Sequence, residues 1–326
     1  MQSNIDPSRP LVSIVVTSFN RGHLVEKAIQ SAIDQDYENL EIIISDNCSQ
    51  DNTKDIVEKF LDDPRIHFFQ NETNIGMIEN FKHASFNLAS GTLITYLSSD
   101  DYLINPSFIS DAVKAFNLYP NIGIVHSRNL TKSSSSDTLE YDYSYLFYKP
   151  SFYKKDYVYG RQVFQLYPKC HSISFGGSMF QREDIENLDP FHEGIFSFDA
   201  CIALQLIQKY NVCFLDKDTY VVRRHGKNFT SNINKASVYI DNVEYINKPF
   251  DLAVKNKFAA IETLNLWRAQ MYKTYFRQVS LSLYLESRLE YKNCLLFLKN
   301  SCPAAFRELI FSPNFHFQKM LLTNPI

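Results

Sequence analysis

The sequence predicts an α/β protein: a mainly parallel sheet flanked by helices, followed by a C-terminal helical region. Three observations carry this. Apolar, β-branched runs alternate with helical patterns through about the first hundred residues. The connections between them are short and polar. Beyond about His225 the strand signals give way to long amphipathic stretches over residues 258–298, which hold the only tryptophan, Trp267.

Residues 11–16 form a near-continuous apolar run, as expected of a strand covered on both faces. Leu24, Val25, Ala28, Ile29, Ala32 and Ile33 recur at helical spacing and predict a helix after Gly22. Residues 40–44 give a second strand, Ile56, Val57, Phe60 and Leu61 a second helix, and residues 66–69 a third strand. A third helix is predicted over residues 77–88, with Gly91 near its C-terminal end, before the strand at 93–97. Pro106 opens a further helical pattern. Repeated βαβ units imply parallel strands joined by right-handed crossovers. Between residues 127 and 167 the pattern breaks. An exposed loop is expected at 133–136, then a tyrosine-rich stretch with Tyr141, Tyr143, Tyr145, Tyr148, Tyr153, Tyr157, Tyr159 and Tyr167. Such tyrosines suit a half-buried β-ribbon first, and second an acceptor-binding surface on which sugar faces stack. Residues 212–215 and 220–222 read as later strand segments.

In open α/β sheets ligands bind beyond the carboxyl ends of the strands. The segments 17–20, 46–51, 71–76 and 98–101 should therefore gather on one edge, and three of the four contain carboxylates. Asp100 and Asp101 are the most informative. Adjacent like charges at the end of a buried strand resist desolvation unless a cation sits between them and a ligand. A divalent ion held by oxygen ligands fits. A helix cap is the plain alternative, but the acids stand several residues ahead of the Pro106 helix.

A chain of 326 residues, 45% hydrophobic and 21% charged, has ample material for one large domain or two ordinary ones. The net charge of −3 argues against a nucleic-acid binder. Cys48, Cys170, Cys201, Cys213, Cys294 and Cys302 are scattered with no C-x-x-C pair, the pattern of reduced thiols. The N-terminal residues are polar, and no run approaches the ~20 apolar residues of a membrane span. A cytoplasmic protein is the expectation.

The motifs resemble those of family 2 glycosyltransferases. Residues 11–20, Leu-Val-Ser-Ile-Val-Val-Thr-Ser-Phe-Asn, look like that family's opening strand. Residues 46–53 are similar to its D-N-x-S-x-D-x-T loop, and Asn74-Ile75-Gly76 to its N-x-G. The match runs in order through the acidic pair and Asp199 to Arg223-Arg224-His225-Gly226, over roughly the first 230 residues. The resemblance implies a GT-A fold, a Rossmann-like mixed, mainly parallel sheet, in residues 1–230, with residues 231–326 as a C-terminal helical extension.

Position by position, the resemblance places Thr17 and Phe19 at the nucleobase with Asn20 beside them, Asp46 at the base or ribose, and Asn74 and Gly76 near the nucleotide. A carboxylate acceptor suits the imide N–H of uracil or thymine, so a UDP- or dTDP-type sugar is the expected donor. Asp100 or Asp101 would hold Mg²⁺ or Mn²⁺ against the diphosphate, the other acid turning to the ribose. Arg223 and His225 match an Arg-x-His beside the diphosphate, His225 as a phosphate donor or metal ligand. Gly176 and Gly177 fall on the acceptor side. Asp199 matches the general base that deprotonates the acceptor hydroxyl in inverting transfer. Two positions depart from the pattern: Ser98 replaces the first acid of the usual D-x-D, and Phe198 the Glu before Asp199.

Inverting, metal-dependent transfer to a saccharide or lipid-linked saccharide acceptor, in capsule, O-antigen or other surface-polysaccharide synthesis, is the activity implied. A non-catalytic sugar-nucleotide-binding module is the alternative that Ser98 and Phe198 keep open. A nicotinamide-dependent oxidoreductase shares the α/β pattern but would need G-x-G-x-x-G where residues 17–22 read Thr-Ser-Phe-Asn-Arg-Gly. The C-terminal region suits a helical lid, a homo-oligomer surface or a membrane-surface contact. Phe311, Phe315, Phe317, Met320, Leu321 and Leu322 form an apolar tail for which packing on its own domain is the favoured reading, and a peripheral contact at the inner face of the cell membrane, fitting lipid-linked acceptors, the alternative.

Overall fold

A computed structural model describes residues 8–133, 138–141, 157–169, 173–188, 191, 194–225, 228 and 235–311. The chain divides into two compact units. The first comprises Met1–Phe164, Cys170–Glu193 and Phe198–Gly226, the second Gln165–Lys169, Gly194–Ser197 and Lys227–Ile326.

The first unit is built on one mixed sheet. Its strands are β1 (Val12–Ser18), β2 (Leu40–Asp46), β3 (Ile66–Gln70), β4 (Leu93–Ser98), β5 (Tyr102–Leu103), β6 (Ile122–Ser133), β7 (Leu139–Tyr141), β8 (Tyr157–Val158), β9 (Ser178–Gln181) and β10 (Asn211–Arg224). The spatial order is β3-β2-β1-β4-β9-β6-β10-β5, with β7 on β6 and β8 on β10. β3, β2, β1 and β4 are parallel, with Val16 opposite both Ile44 and Leu97. β3, at the sheet edge, leaves His67, Phe69 and Gln70 exposed, while β1, β2 and β4 are covered on both faces: Val12, Ile14, Val16, Ile42 and Ile44 are fully buried. This is why their sequences read as unbroken apolar runs rather than as alternation. Helix α1 (Gly22–Ile33) lays Val25, Ala28, Ile29 and Ala32 into the same core.

The helices expected after Gly22, around Ile56 and Val57, and after Pro106 are α1, α2 (Thr53–Glu58) and α4 (Phe108–Leu118), with Phe60 and Leu61 falling in the turn beyond α2. The predicted helix at 77–88 divides into α3 (Met77–His83) and a π-helical turn over Ala84–Leu88. The two strand segments expected at 212–215 and 220–222 are one strand, β10. Its register against β6 shifts between Leu215 and Asp218 and again before Tyr220. There the polar stretch Asp216-Lys217-Asp218 leaves the regular ladder, and Arg128 ion-pairs with Asp216 and, at 2.6 Å, with Asp218.

Four short antiparallel strands, β5, β7, β8 and β9, make the sheet mixed, and two of them bear on the site. β9 lies between β4 and β6, with Phe180 opposite both Ile94 and Ile124. β5 returns onto β10, Tyr102 facing Val221 and Leu103 facing Tyr220. The turn from β4 into β5 contains Asp100 and Asp101, so this pairing brings the end of β10 to the acidic pair. The remaining helices of this part of the chain are α5 (Gly160–Leu166), α6 (Arg182–Leu188) and α7 (Phe198–Leu206). Of the tyrosine-rich stretch, Tyr141 lies exposed on β7, Tyr157 on β8 contacts the rings of Tyr119 and Tyr159, and Tyr167 is fully buried. Tyr143, Tyr145, Tyr148 and Tyr153 lie outside the described residues.

The second unit is helical: α8 (Ala236–Asp241), α9 (Glu244–Lys255), α10 (Ile261–Glu286), α11 (Arg288–Ser301) and α12 (Pro303–Ile310). Trp267, Met271, Phe276 and Leu283 of α10 are buried with Tyr291, Cys294 and Leu298 of α11 and Leu309 of α12. Ser287 ends α10 and caps α11, its hydroxyl accepting from the Glu290 N–H at 3.4 Å. No helix among the described residues is long and apolar enough to cross a membrane. Of the apolar tail, Phe311 is described and exposed, while Phe315, Phe317, Met320, Leu321 and Leu322 lie outside the described residues.

Candidate active site

The segments beyond β1, β2 and β3 are laced together by side-chain amides and hydroxyls. Asn20, in the left-handed region at φ 52°, donates its N–H to Ser49 Oγ at 2.7 Å and accepts the Gln50 N–H at 2.8 Å. Asn47 Nδ2 donates to Asn74 Oδ1 at 2.8 Å, while its Oδ1 accepts from Asn71 Nδ2 and the Ile75 N–H. Asn71 also donates to Asn80 Oδ1, and Asn80 to the Ser45 carbonyl. Asp51 joins the group by accepting the Gly22 N–H at 3.0 Å, which fixes the start of α1.

Within this frame Thr17, one residue before the end of β1, lies opposite Ser98, and Phe19 stands 40% exposed. An open aromatic ring at a strand end is suited to stacking a base. Asp46 is fully buried. Its oxygens accept from the Ser49 N–H and hydroxyl and from Gln70 Nε2, so it organises the loop from within. Gly76 has φ 87° and nothing near the position of a Cβ. Its glycine requirement is therefore conformational, setting the turn into α3.

The acidic pair splits into two roles. Asp101 is buried, its Oδ2 accepting from the Tyr220 hydroxyl at 2.7 Å and its Oδ1 from the Arg223 N–H at 2.9 Å. Burial and the neighbouring Asp100 charge push its carboxyl upward from the usual range. Asp100 is the more open acid, 3.1 Å from His225 Nε2 and 3.7 Å from Arg21 Nε. Arg223, expected at the diphosphate, is turned inward. Its guanidinium donates to the carbonyls of Asp100, Leu24, Ser99 and Asp101. It therefore fastens the β4–β5 turn to α1. Lys27 Nζ lies 3.7 Å from the centroid of the Tyr102 ring, and Arg223 Cζ 5.5 Å from the same centroid. Burial and the charges of Lys132 and Arg223 lower the Lys27 pKa. The edge thus carries a cationic set around Asp100 that suits a polyanionic ligand.

Asp199 lies in the first turn of α7, partly exposed, with its Oδ1 accepting the Ala200 N–H at 2.8 Å. Desolvation pushes its carboxyl up to about 6, against the lowering effect of backbone N–H groups including that of Phe175. The preceding Phe198 is buried 5.2 to 5.4 Å from the rings of Phe81, Phe175 and Phe191, and Phe175 stacks on Tyr96 at 3.9 Å. An aromatic residue at 198 is thus part of the packing that seats the helix start. Phe175 leads into Gly176 and Gly177. A Cβ on Gly176 would meet the Tyr220 ring at 2.7 Å, and one on Gly177, at φ 68°, would meet Asn129 Oδ1 at 2.5 Å. Tyr220 consequently touches both the glycine turn and Asp101.

Asp100, His225 and Arg21 therefore come together, as do Asp101, Tyr220 and Arg223, and the loops bearing Thr17, Phe19, Asn20, Asp46, Asn74 and Gly76. Asp199 connects to them through Phe175 and Gly176. Sequence reasoning assigned no role to Arg21, Lys27, Asn47 or Tyr220. Asn47 stands inside the D-N-x-S-x-D-x-T loop and Arg21 directly follows the opening-strand motif, whereas Lys27 and Tyr220 look like ordinary helix and strand residues. Among the described residues no group of three or more His, Cys, Asp or Glu side chains is arranged to hold a metal ion.

Residues 13–189 match the sequence profile of the family described as Glycosyl transferase family 2. Over 205 residues the chain is 30% identical to the GalNAc(5)-diNAcBac-PP-undecaprenol beta-1,3-glucosyltransferase of Campylobacter jejuni, covering 61% of this chain and 60% of that one. Over 116 residues it is 34% identical to the UDP-Glc:alpha-D-GlcNAc-diphosphoundecaprenol beta-1,3-glucosyltransferase WfaP of Escherichia coli, covering 34% of this chain and 45% of that one. The matches thus span less than two thirds of either relative. Among solved structures, S. aureus TarS 1-349 in complex with UDP-GlcNAc superposes with a TM-score of 0.68 at 18% identity, over 95% of this chain and 87% of that one. The mannosyltransferase PcManGT from Pyrobaculum calidifontis, in complex with GDP-Man and Mn²⁺, superposes with a TM-score of 0.55 at 17% identity, over 98% and 86%. At these identities the structures establish a shared fold.

Proposed function

Because this chain belongs to glycosyl transferase family 2 and has the GT-A fold, we propose that it transfers a sugar with inversion from a nucleoside diphosphate to an acceptor hydroxyl in surface-glycan synthesis. The observation that carries the chemistry is Asp199, whose carboxyl is raised to about 6 beside the Gly176–Gly177 turn. A base with that pKa is ionised at neutral pH yet strong enough to take a proton in the transition state.

Asp199 accepts the proton of the acceptor hydroxyl as that oxygen forms its bond to the anomeric carbon. The bond from that carbon to the diphosphate oxygen breaks on the opposite face, and the electron pair leaves with the nucleoside diphosphate. Phe19 and Thr17 receive the base on the asparagine-laced loops. Arg21 and Lys27 face the diphosphate charge, while Arg223 and Tyr220 keep the β4–β5 turn in place.

Asp100 and His225 form a two-donor set that fits a divalent ion completed by ligand and solvent oxygens. When bound, Mn²⁺ or Mg²⁺ neutralises charge developing on the leaving group. Asp101 acts through position. With both oxygens already accepting hydrogen bonds, it holds the turn that presents Asp100.

The names of the two relatives point to a lipid-linked saccharide acceptor and a UDP-sugar donor. Residues 1–230 would carry this chemistry and 231–326 form a separate extension, working at the cytoplasmic face where such acceptors are assembled. The test is release of nucleoside diphosphate from a panel of UDP-, dTDP- and GDP-sugars with Mn²⁺ and a lipid-linked acceptor fraction. Acceptor-dependent release from one donor class is expected. A protein that binds nucleotide, yet releases none above background with any donor, would instead be a sugar-nucleotide-binding module.

A further inference from the structure

Helix α11 (Arg288–Ser301) buries Tyr291, Cys294 and Leu298. On its opposite ridge Leu289 and Leu296 are 66% and 59% exposed. These two leucines are seven residues apart and lie on one line along the outer face. Arg288, Lys292 and Lys299 are exposed and flank that line on one side, at helical steps that bring them together. Asn293 and Asn300 flank it on the other. The only carboxylate of the helix, Glu290, lies away from this face and accepts the Ala236 N–H. Among the described residues the three cations take part in no ion pair or hydrogen bond.

Leucines at the outermost ridge of a surface helix gain nothing from folding, and unpaired cations beside them gain little from solvent alone. A headgroup layer satisfies both: leucines enter the acyl boundary while long basic side chains reach up to phosphates. Charge complementarity selects the partner, because three cations with no acid among them suit an anionic surface. We propose that the outer face of α11 docks on an anionic phospholipid bilayer. This rests on the reading that the acceptor is lipid-linked, and moves the membrane contact from the C-terminal tail to a folded helix.

The test is co-sedimentation of the full-length protein with vesicles of phosphatidylcholine and phosphatidylglycerol (7:3) and with phosphatidylcholine alone. Binding to the anionic vesicles is expected, weakening when NaCl rises from about 0.1 to 0.5 M. Lys292→Glu/Lys299→Glu and Leu289→Asp/Leu296→Asp should each lower the bound-to-free ratio at least about tenfold, with melting temperature unchanged because all four positions are exposed. Equal pelleting of wild type and both variants, or no pelleting of wild type, would overturn the proposal. So would loss of a dimer in Leu289→Asp/Leu296→Asp by analytical ultracentrifugation without loss of vesicle binding, since the face would then be a contact between two copies. Hydrolysis of the UDP-sugar donor in detergent-free buffer, measured on the same variants, should be unchanged. That readout reports on the transferase separately from the vesicles.

Discussion

The hydroxyl of Tyr220 donates to Asp101 Oδ2 at 2.7 Å. The same ring closes the space where Gly176 would carry a Cβ. One side chain on β10 therefore spans from the acidic turn to the glycine turn beside Phe175. Tyr220→Phe keeps the ring and removes the donor, leaving a buried carboxylate oxygen short of a partner. A loss of about 1–3 kcal/mol in urea unfolding is expected, and an unchanged midpoint would show that the bond contributes nothing.

Gly176→Ala should act through that same ring. The new methyl meets the aromatic carbons of Tyr220 at 2.7 Å, so the turn or the tyrosine must shift. Gly177→Ala adds backbone strain at φ 68° and a clash with Asn129 Oδ1. We expect each to destabilise by about 1–3 kcal/mol, Gly177→Ala the more. The check is paired denaturation curves, together with transfer rates, which should fall for both.

For Asp199 the pH dependence has a definite sign. Its folded pKa of about 6 lies above the unfolded value of 3.8. The protonated form is thus favoured by folding, and that stabilisation, full below about 3.8, is lost as pH rises through 6. Asp199→Asn should leave the melting temperature at pH 7.5 equal or higher. Transfer should show the opposite trend: kcat/KM rises with pH around an apparent pKa near 6, and Asp199→Asn lowers kcat by roughly 10²–10⁴. A wild-type profile flat from pH 5 to 8 would remove Asp199 from the base role.

In the proposed site Asp100 and His225, 3.1 Å apart, would supply two protein donors to a metal ion. Two ligands make a weak site on their own, so tight Mn²⁺ binding is expected only with nucleotide present. His225→Ala should raise the Mn²⁺ concentration for half-maximal transfer by about tenfold or more. Titration calorimetry with and without UDP separates this from a purely structural effect; micromolar Mn²⁺ affinity in the free protein would contradict the two-donor arrangement.

Phe19, with its ring open to solvent, should govern donor binding and not chemistry. Base–aromatic stacking of about 1–3 kcal/mol predicts a rise in donor KM of roughly fivefold to a hundredfold for Phe19→Ala, with kcat little changed.

β1, β2 and β4 were legible because burial on both faces writes a near-continuous apolar run into the sequence, and β3 because its short run of Ile66, Phe68 and Phe69 sits between turn signals. β9 and β5 were not. They have four and two residues, too few for any period to register. That omission hid the division of labour between Asp100 and Asp101, which is decided by β5 pairing with β10 more than a hundred residues away. It also hid the fate of Arg223: a guanidinium near an acidic turn reads as a ligand group, and only the carbonyls of Leu24 and Ser99 show it facing inward. The mixed α/β class and the family were readable, because several weak motifs stood in order. Phe198 looked like a lost carboxylate in sequence and is an aromatic packing residue in space.

The donor-side loops are tied by Asn20, Asn47, Asn71, Asn74 and Asn80. Carboxamides neither titrate in the physiological range nor respond to ionic strength. The carboxamide part of that frame should therefore hold its shape across mildly acid and alkaline buffers and from low to high salt, while Asp46 and Asp51 tie the same loops as carboxylates. Seating of the nucleobase on that frame is thereby set apart from the acid–base chemistry of Asp199, so mild acidification would slow turnover before it disturbs the base-binding loops.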